Sequence, residues 1–130
     1  MEKQHALQQL EQLQKKLYAI HYACSAMNLD ADTVAPKNTS EGRGVALGVL
    51  AGEEQQLMIC PETRALLDEL DRQKDELDLL HRREVEELRR RCDQLTRIPA
   101  EEYIAYSELV NKAGDVWHKA KEKDLSLIHI

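Results

Sequence analysis

Seven apolar side chains near the start of this 130-residue chain recur at helical spacing, and this pattern restricts the fold more than any other feature. They follow one another at steps of three and four, which places them on one side of an α-helix: Leu7, Leu10, Leu13, Leu17, Ile20, Cys24 and Met27. No glycine or proline interrupts residues 4–27. We therefore predict one long amphipathic helix there, whose apolar side is buried against other elements.

The period is interrupted once and then resumes. We predict an irregular stretch over residues 28–44, because Pro36 disfavours helix at the residue before it. Asn38, with Glu41 three residues later, resembles a helix cap and predicts a second helix from about that point to Met58. Glycines inside this helix weaken it by up to ~1 kcal/mol each but permit close backbone approach, so we predict tight packing against a large neighbour: Gly42, Gly44, Gly48 and Gly52.

The remaining sequence is also helical in pattern. Pro61 suits the first position of a helix, and we predict helices over 62–71 and 73–96, joined or separate, with an end at Pro99. Apolar positions from Tyr103 onward predict a last helix. Since no segment alternates apolar and polar residues over the length of a strand, the predicted fold class is all-α.

Composition excludes several classes of function. The 24 acidic and 18 basic residues give a net charge of −6, which argues against general nucleic-acid binding. No apolar run reaches the ~18–20 residues of a membrane-spanning helix. The first residues lack the layout of a signal peptide, and three widely spaced cysteines fit free thiols of a reducing compartment: Cys24, Cys60 and Cys92. We expect a cytoplasmic protein with neither a nucleic-acid nor a membrane partner.

Two pairs of residues have the spacing of metal ligands on one side of a helix. His81 precedes Glu84 by three residues, as Asp115 precedes His118. Each pair supplies two ligands, whereas a catalytic zinc ion is usually held by three protein ligands and a water, so a solvated helix face is the preferred interpretation. Neither His-Glu-x-x-His nor Cys-x-x-Cys occurs in the sequence. No metal ligand is assigned.

Other candidate groups also have a simpler structural interpretation. Asp30 and Asp32 form either an acid–base pair or, as we prefer, caps for backbone amides in a turn. The run of residues 81–91 is either a phosphate-binding patch or a solvated face with ion pairs four residues apart, and we prefer the second: Arg82 with Glu86, Arg83 with Glu87, Glu86 with Arg90, and Glu87 with Arg91. The pattern from Tyr103 to Trp117 fits a core or an interface better than a cofactor site. No catalytic or cofactor-binding residue is assigned.

Three segments, taken in order, resemble a known family. Asp30-x-x-Thr33-x-x-Pro36 is followed by Arg43, then by Arg91-Cys-Asp-Gln-Leu-Thr-Arg-Ile-Pro99, and then by Trp117-His-Lys-Ala-Lys-Glu-Lys-Asp124. This order is similar to the N-terminal region of the carboxypeptidase Taq family. The chain departs from many members around the turn, where they carry Trp, Met and Gly and this sequence has Leu29, Ala35 and Asn38-Thr39.

The resemblance implies a cytoplasmic, all-helical zinc metallopeptidase that removes C-terminal residues from peptides, often as a homodimer. The family's zinc ligands come from a His-Glu-x-x-His helix and a later Glu, and its Asp-x-Arg-x-Thr and His-Pro-Phe motifs are likewise not in this sequence. We therefore expect an inactive N-terminal fragment with an open helical bundle, part of a larger all-helical metallopeptidase. Zinc and the peptide substrate would belong to the full-length parent, and the rest of the parent chain would be a partner. The alternative is a small self-contained helical protein-interaction module.

The last six residues differ from the family pattern. Leu125-Ser-Leu-Ile-His-Ile130 resembles the translation of a transposon-end adapter used in sequencing libraries. We expect residues 1–124 to be the N-terminal helical region of a metallocarboxypeptidase and residues 125–130 to be a non-native tail. The alternative is a genuine apolar C-terminus, and in neither case is His129 a metal ligand.

Overall fold

The computed structural model describes residues 2–123, and within them the fold is all-α, as predicted. Its five α-helices are α1 (Lys3–Asp32), α2 (Ser40–Ile59), α3 (Pro61–Arg72), α4 (Leu79–Thr96) and α5 (Ala100–Glu122). A 3-10 turn over Lys74–Glu76 separates α3 from α4, so these two helices are not continuous. The predicted tail, 125–130, lies outside the described residues and stays a prediction.

The irregular stretch between α1 and α2 is shorter than predicted. Helix α1 continues five residues past Met27, because nothing in residues 28–32 stops a helix and Pro36 acts only on the residue before it. The backbone carbonyl of Asp30 then accepts hydrogen bonds from the amides of the three residues that follow Asp32. Only residues 33–39, called the α1–α2 turn below, are outside the two helices.

The start of α2 also corrects the sequence analysis. Asn38 has φ of 66°, in the left-handed region that asparagine enters more readily than most residues, so it belongs to the turn and not to the helix cap. The carbonyl of Thr39 accepts the amide of Arg43 at 3.2 Å, which makes Thr39 the residue that precedes the helix. The predicted cap at Asn38 is therefore wrong by one residue.

The chain divides into two compact units, each built from separate segments. Unit 1 comprises Met1–Ile20 and Glu53–Pro99, and unit 2 comprises His21–Gly52 and Ala100–Ile130. Unit 1 holds an apolar core to which α1, α3 and α4 contribute, together with the segment before α4: Ala6, Leu10, Leu66, Leu70, Leu77 and Val85, with Leu7 and Leu88 packed against them. Of the predicted apolar side of α1, Leu10 lies in this core, Leu7 packs against it, and Leu13 and Leu17 are also buried.

A buried glutamine fixes the end of α4 inside unit 1. Gln55 is 1% exposed, and its side-chain amide donates to the carbonyls of Leu95 at 3.2 Å and Ile98 at 2.7 Å. The last carbonyls of a helix have no partner within the helix, so they need donors from elsewhere. Gln55 supplies them and joins α2 to the end of α4.

Unit 2 contains the close approach predicted from the glycines. A Cβ atom on Gly48 would lie 3.1 Å from Cγ of Glu108 and 3.3 Å from Cγ2 of Ile104, and one on Gly52 would lie 3.1 Å from Cδ1 of Ile104. Helices α2 and α5 therefore touch where α2 has no side chains. The tight packing is confirmed at Gly44, Gly48 and Gly52, where the neighbour is α5, and is wrong at Gly42, where a Cβ atom would meet nothing within 4 Å.

Over residues 2–123, no helix combines the length and the apolar character needed to cross a bilayer.

Candidate functional site

The residues that carry the family resemblance build the α1–α2 turn in unit 2. Thr33 Oγ1 donates to the carbonyl of Leu29 at 2.6 Å, and Thr39 Oγ1 donates to the carbonyl of Pro36 at 2.7 Å. Both hydroxyls bond to backbone oxygens three or four residues earlier, as threonine commonly does at helix ends and turns. This motif therefore has a structural role, because its hydrogen bonds end α1 and precede the start of α2.

Arg43, the last residue of that motif, ties the start of α2 to α5. Its Nε donates to Asn111 Oδ1 at 3.2 Å and its Nη1 donates to Thr39 Oγ1 at 3.3 Å. The amide of Asn111 in turn donates to the carbonyl of Ser40 at 2.9 Å. We call Thr39, Ser40, Arg43 and Asn111 the Arg43–Asn111 cluster.

The electrostatics of this cluster are unusual for a partly buried arginine. Within residues 2–123, the guanidinium of Arg43 forms no ion pair with a carboxylate, and its acceptors are the neutral oxygens of Thr39 and Asn111. A guanidinium can bind a carboxylate or a phosphate through paired donors. Here, one donor joins α2 to α5 and another holds the turn before α2, so the arrangement supports a structural role for Arg43.

The carboxylates at the end of α1 do not form the predicted arrangement. Asp30 and Asp32 lie in the last turn of α1, and the amide-capping task expected of their side chains is wrong, since backbone carbonyls serve the turn. Asp32 Oδ1 lies instead 2.7 Å from His118 Nε2 of α5. Asp115 is paired with Lys119 at 2.9 Å, so Asp115 and His118 do not act as a pair.

His81 faces a helix cap and not Glu84. The Asp78 carboxylate accepts the backbone amide of His81 at 2.9 Å, and His81 Nδ1 lies 2.8 Å from its other oxygen. The backbone hydrogen bond is the largest cause that lowers the pKa of Asp78, and the side-chain bond adds to it. Across residues 2–123, histidine, cysteine and carboxylate side chains nowhere gather in groups of three or more that could hold a metal ion.

The charged run of α4 links helices as well as facing solvent. The predicted ion pairs four residues apart are wrong, because the pairs that form along α4 are three apart: Arg83 with Glu86 at 2.8 Å, and Arg90 with Glu87. The hydrogen bond from Arg90 is the largest cause that lowers the pKa of Glu87.

Two arginines of the same run reach neighbouring helices of unit 1. Arg89 pairs with Asp68 at 3.2 Å and with Asp71, both on α3, and Arg91 pairs with the buried Glu54 of α2. Because carboxylates accompany these arginines, the run does not present the uncompensated positive charge that phosphate binding needs.

The three cysteines and the apolar stripe of α5 differ in how far the structure exposes them to solvent. Cys92 is buried, Cys24 and Cys60 are half-buried, and all three are reduced thiols. In α5, by contrast, the core interpretation of the stripe from Tyr103 to Trp117 is wrong, because the large side chains at 106, 110 and 117 are 64%, 51% and 43% exposed.

The order of these segments agrees with a comparison against known proteins. The sequence profile of the carboxypeptidase Taq (M32) metallopeptidase family matches residues 9–128. The chain belongs to this family. The M32 match includes the α1–α2 turn, Arg43 and the whole of α5, so it covers both units.

A curated relative and the solved structures complete this comparison. The M32 chain is 34% identical over 110 residues to Carboxypeptidase 1 of Bacillus subtilis (strain 168). The aligned region covers 82% of this chain and 22% of that protein. It therefore spans about a fifth of the relative's length. No solved structure matches.

Two polar residues that organise the M32 chain were missed by sequence reasoning. Gln55 and Asn111 each bridge helices that are far apart in sequence. In the sequence, Asn111 stands out only as a polar residue among helix formers, and this does not indicate which group its side chain contacts. Nothing in the sequence marked Gln55 as a buried residue, because glutamine is common on solvated helix faces.

Proposed function

We propose that this chain is the N-terminal helical region of a zinc-dependent metallocarboxypeptidase that releases C-terminal amino acids from peptides in the cytoplasm. The observation that carries the proposal is the M32 family match over residues 9–128. The relative's name, Carboxypeptidase 1, supports the same reaction. We propose further that residues 1–124 are native and residues 125–130 are not, and that the whole enzyme is a homodimer.

In this proposal the chain supplies scaffold and not catalytic groups. The sequence holds no His-Glu-x-x-His motif, so the zinc ligands would lie in another part of the enzyme. Bound zinc would lower the pKa of the attacking water. The residues described above hold helices in place. The Arg43–Asn111 cluster fixes α2 against α5, and the α1–α2 turn determines where α1 ends. Helices held in this way would form a wall of the substrate groove.

The first experiment is to amplify and resequence the source gene past the codon of Asp124. We expect the reading frame to continue and to encode His-Glu-x-x-His. A native stop codon after Ile130 would contradict the enzyme proposal for this chain and would leave the self-contained interaction module.

The second experiment tests the reaction in the full-length product. We expect it to release single residues from a peptide with a free C-terminal carboxylate and none from the same peptide with a C-terminal amide, which is the matched control. Removal of metal with a chelator should abolish release, and added zinc should restore it. Release that continues without metal would overturn the zinc assignment.

A further inference from the structure

Unit 2 buries few of its own apolar side chains. Among its described residues, Leu47 is the one large hydrophobic side chain that is buried, together with the small Ala51 and Ala120. Ten large hydrophobic side chains of the same unit are exposed, on all three of its helical segments and in the turn between them. A unit of this kind has more apolar surface facing solvent than a monomeric soluble domain usually leaves.

Helix α5 shows this imbalance most clearly, because it turns its apolar side outward. The side that contacts α2 carries Ile104, Glu108 and Asn111. At about 100° per residue, the exposed large hydrophobic side chains fall on the opposite side of the helix. We call them the outer stripe of α5: Tyr106, Leu109, Val110, Val116 and Trp117, which are 43–64% exposed.

The occupant of this surface can be argued from the family match. The match covers 22% of the relative, which leaves more than three quarters of that protein outside it. Exposed apolar side chains also occur on α2, at Val45 and Val49, and on α1, at Tyr22 and Leu29. A symmetric contact with a second copy covers one face of a molecule, whereas a long polypeptide can cover several.

We propose that the outer stripe of α5 is an internal interface, covered by the part of the same M32 enzyme that lies outside residues 9–128. This inference rests on the proposed function, since it requires a longer parent chain. It deepens that proposal by naming the surface through which this region joins the rest of the enzyme.

The test compares one substitution in two settings. The first setting is the 130-residue chain alone, and the second is Carboxypeptidase 1 of Bacillus subtilis in which residues 9–123 of this chain replace the matched region. Leu109→Ser changes the outer stripe, and Lys112→Ser is the matched control at an exposed position that borders the stripe but is not part of it. Both substitutions replace a good helix former with serine, so they change helix propensity similarly.

In the chain alone, we expect Leu109→Ser to shift Tm no more than Lys112→Ser does, and to lower the binding of an apolar fluorescent dye about twofold. In the chimaeric enzyme, we expect Leu109→Ser to lower Tm by about 5 °C or more beyond the control, because a buried leucine is lost. Val116→Ser should repeat the result at a second position of the stripe.

Three outcomes would overturn the inference. Equal Tm shifts for Leu109→Ser and Lys112→Ser in the chimaera would show that the stripe stays solvated there. Sedimentation of the chain alone as a dimer that Leu109→Ser dissociates would identify a second copy as the occupant. An unsubstituted chimaera that does not fold would show that this region does not fit the relative's remaining chain. A folded chimaera with the expected Tm shifts but without peptidase activity would contradict the proposed function alone.

Discussion

Asp78 shows how a single carboxylate positions a helix in this chain. It accepts the backbone amide of His81 and lies beside the His81 ring, so it serves α4 as a cap and leaves Glu84 uninvolved. The spacing of His81 and Glu84 is that of two metal ligands on one side of a helix, although a solvated face is the interpretation preferred from the sequence. The cap was missed because Asp78 lies outside the helix, where periodicity carries no information.

We predict that Asp78→Ala lowers Tm by about 2–6 °C at pH 7, and that Asp78→Asn, which keeps a capping oxygen, lowers it less. The pKa of Asp78 is lowered in the folded chain, so its contribution is present above the unfolded pKa and is lost as the pH falls through the folded value. Thermal melts at pH 7 and near pH 2 test this. A difference between wild type and Asp78→Ala that stays constant at both pH values would contradict it.

A second single-residue test uses Gln55, whose buried side-chain amide donates hydrogen bonds to two carbonyls at the end of α4. We predict that Gln55→Met lowers the free energy of unfolding by about 1–3 kcal/mol, since the carbonyl of Ile98 loses the Gln55 donor and that of Leu95 keeps only the amide of Ile98. Urea denaturation measures the change. Gln56→Met is the matched control at the next, exposed position and should leave stability almost unchanged. Equal effects of the two substitutions would count against the capping task.

At the scale of helices, glycine placement decides how near α2 comes to α5. Gly48 has atoms of Ile104 and Glu108 within the distance of a tight Cβ contact, whereas Gly114 of α5 has nothing within 4 Å. The glycines four residues apart in α2, Gly44, Gly48 and Gly52, therefore lie at a close helix contact, whereas Gly114 lies at an open position. Spacing in the sequence indicated the close approach correctly, but the identity of the neighbouring helix became visible only in the structure.

We predict that Gly48→Leu lowers the free energy of unfolding by about 1–3 kcal/mol, because the added side chain overpacks the contact with α5. Gly114→Ala should raise it by up to about 1 kcal/mol, since alanine favours helix and the site is open. Chemical denaturation of both variants gives the comparison. A stabilising Gly48→Leu would show that α5 moves aside at no cost.

Helix existence could be predicted from the sequence, but helix ends and orientation could not. All of the predicted helices are present, because spacing at three and four residues is a strong local signal, but α4 begins at Leu79 and not at residue 73. The ends at Asp32 and Ser40 depend on individual hydrogen bonds in the turn, such as that of Thr39. The apolar side of α5 was also identified correctly. Its exposure to solvent could not be inferred, because periodicity defines a side of a helix and not what covers it.

On the scale of the whole molecule, apolar burial is concentrated in unit 1. Its core includes Leu10, Leu70 and Val85, each no more than 2% exposed, whereas unit 2 relies on the glycine contact and on the Arg43–Asn111 cluster. The spacing of apolar residues predicted the fold class, and the order of family motifs predicted the family. It could not predict this division, since each unit combines segments from distant parts of the sequence.

We predict that the backbone amides of α3 near Leu67 and Leu70 exchange with solvent deuterium at least roughly tenfold more slowly than those of α5 near Ile104 and Leu109, because local opening is easier where few apolar contacts must break. Hydrogen exchange followed by mass spectrometry of the 130-residue chain measures both segments at once. Comparable exchange rates would mean that the two units open together.

The discontinuous build of unit 1 has a consequence for synthesis. Leu10 of α1 packs in a core with Leu66 and Leu70, which are translated roughly 55 residues later. At about 5–20 residues per second, the apolar side of α1 is synthesised some 3–11 s before its partners. During that interval α1 has no α3 to pack against, so its apolar side stays without its core partners until the later segment has been made.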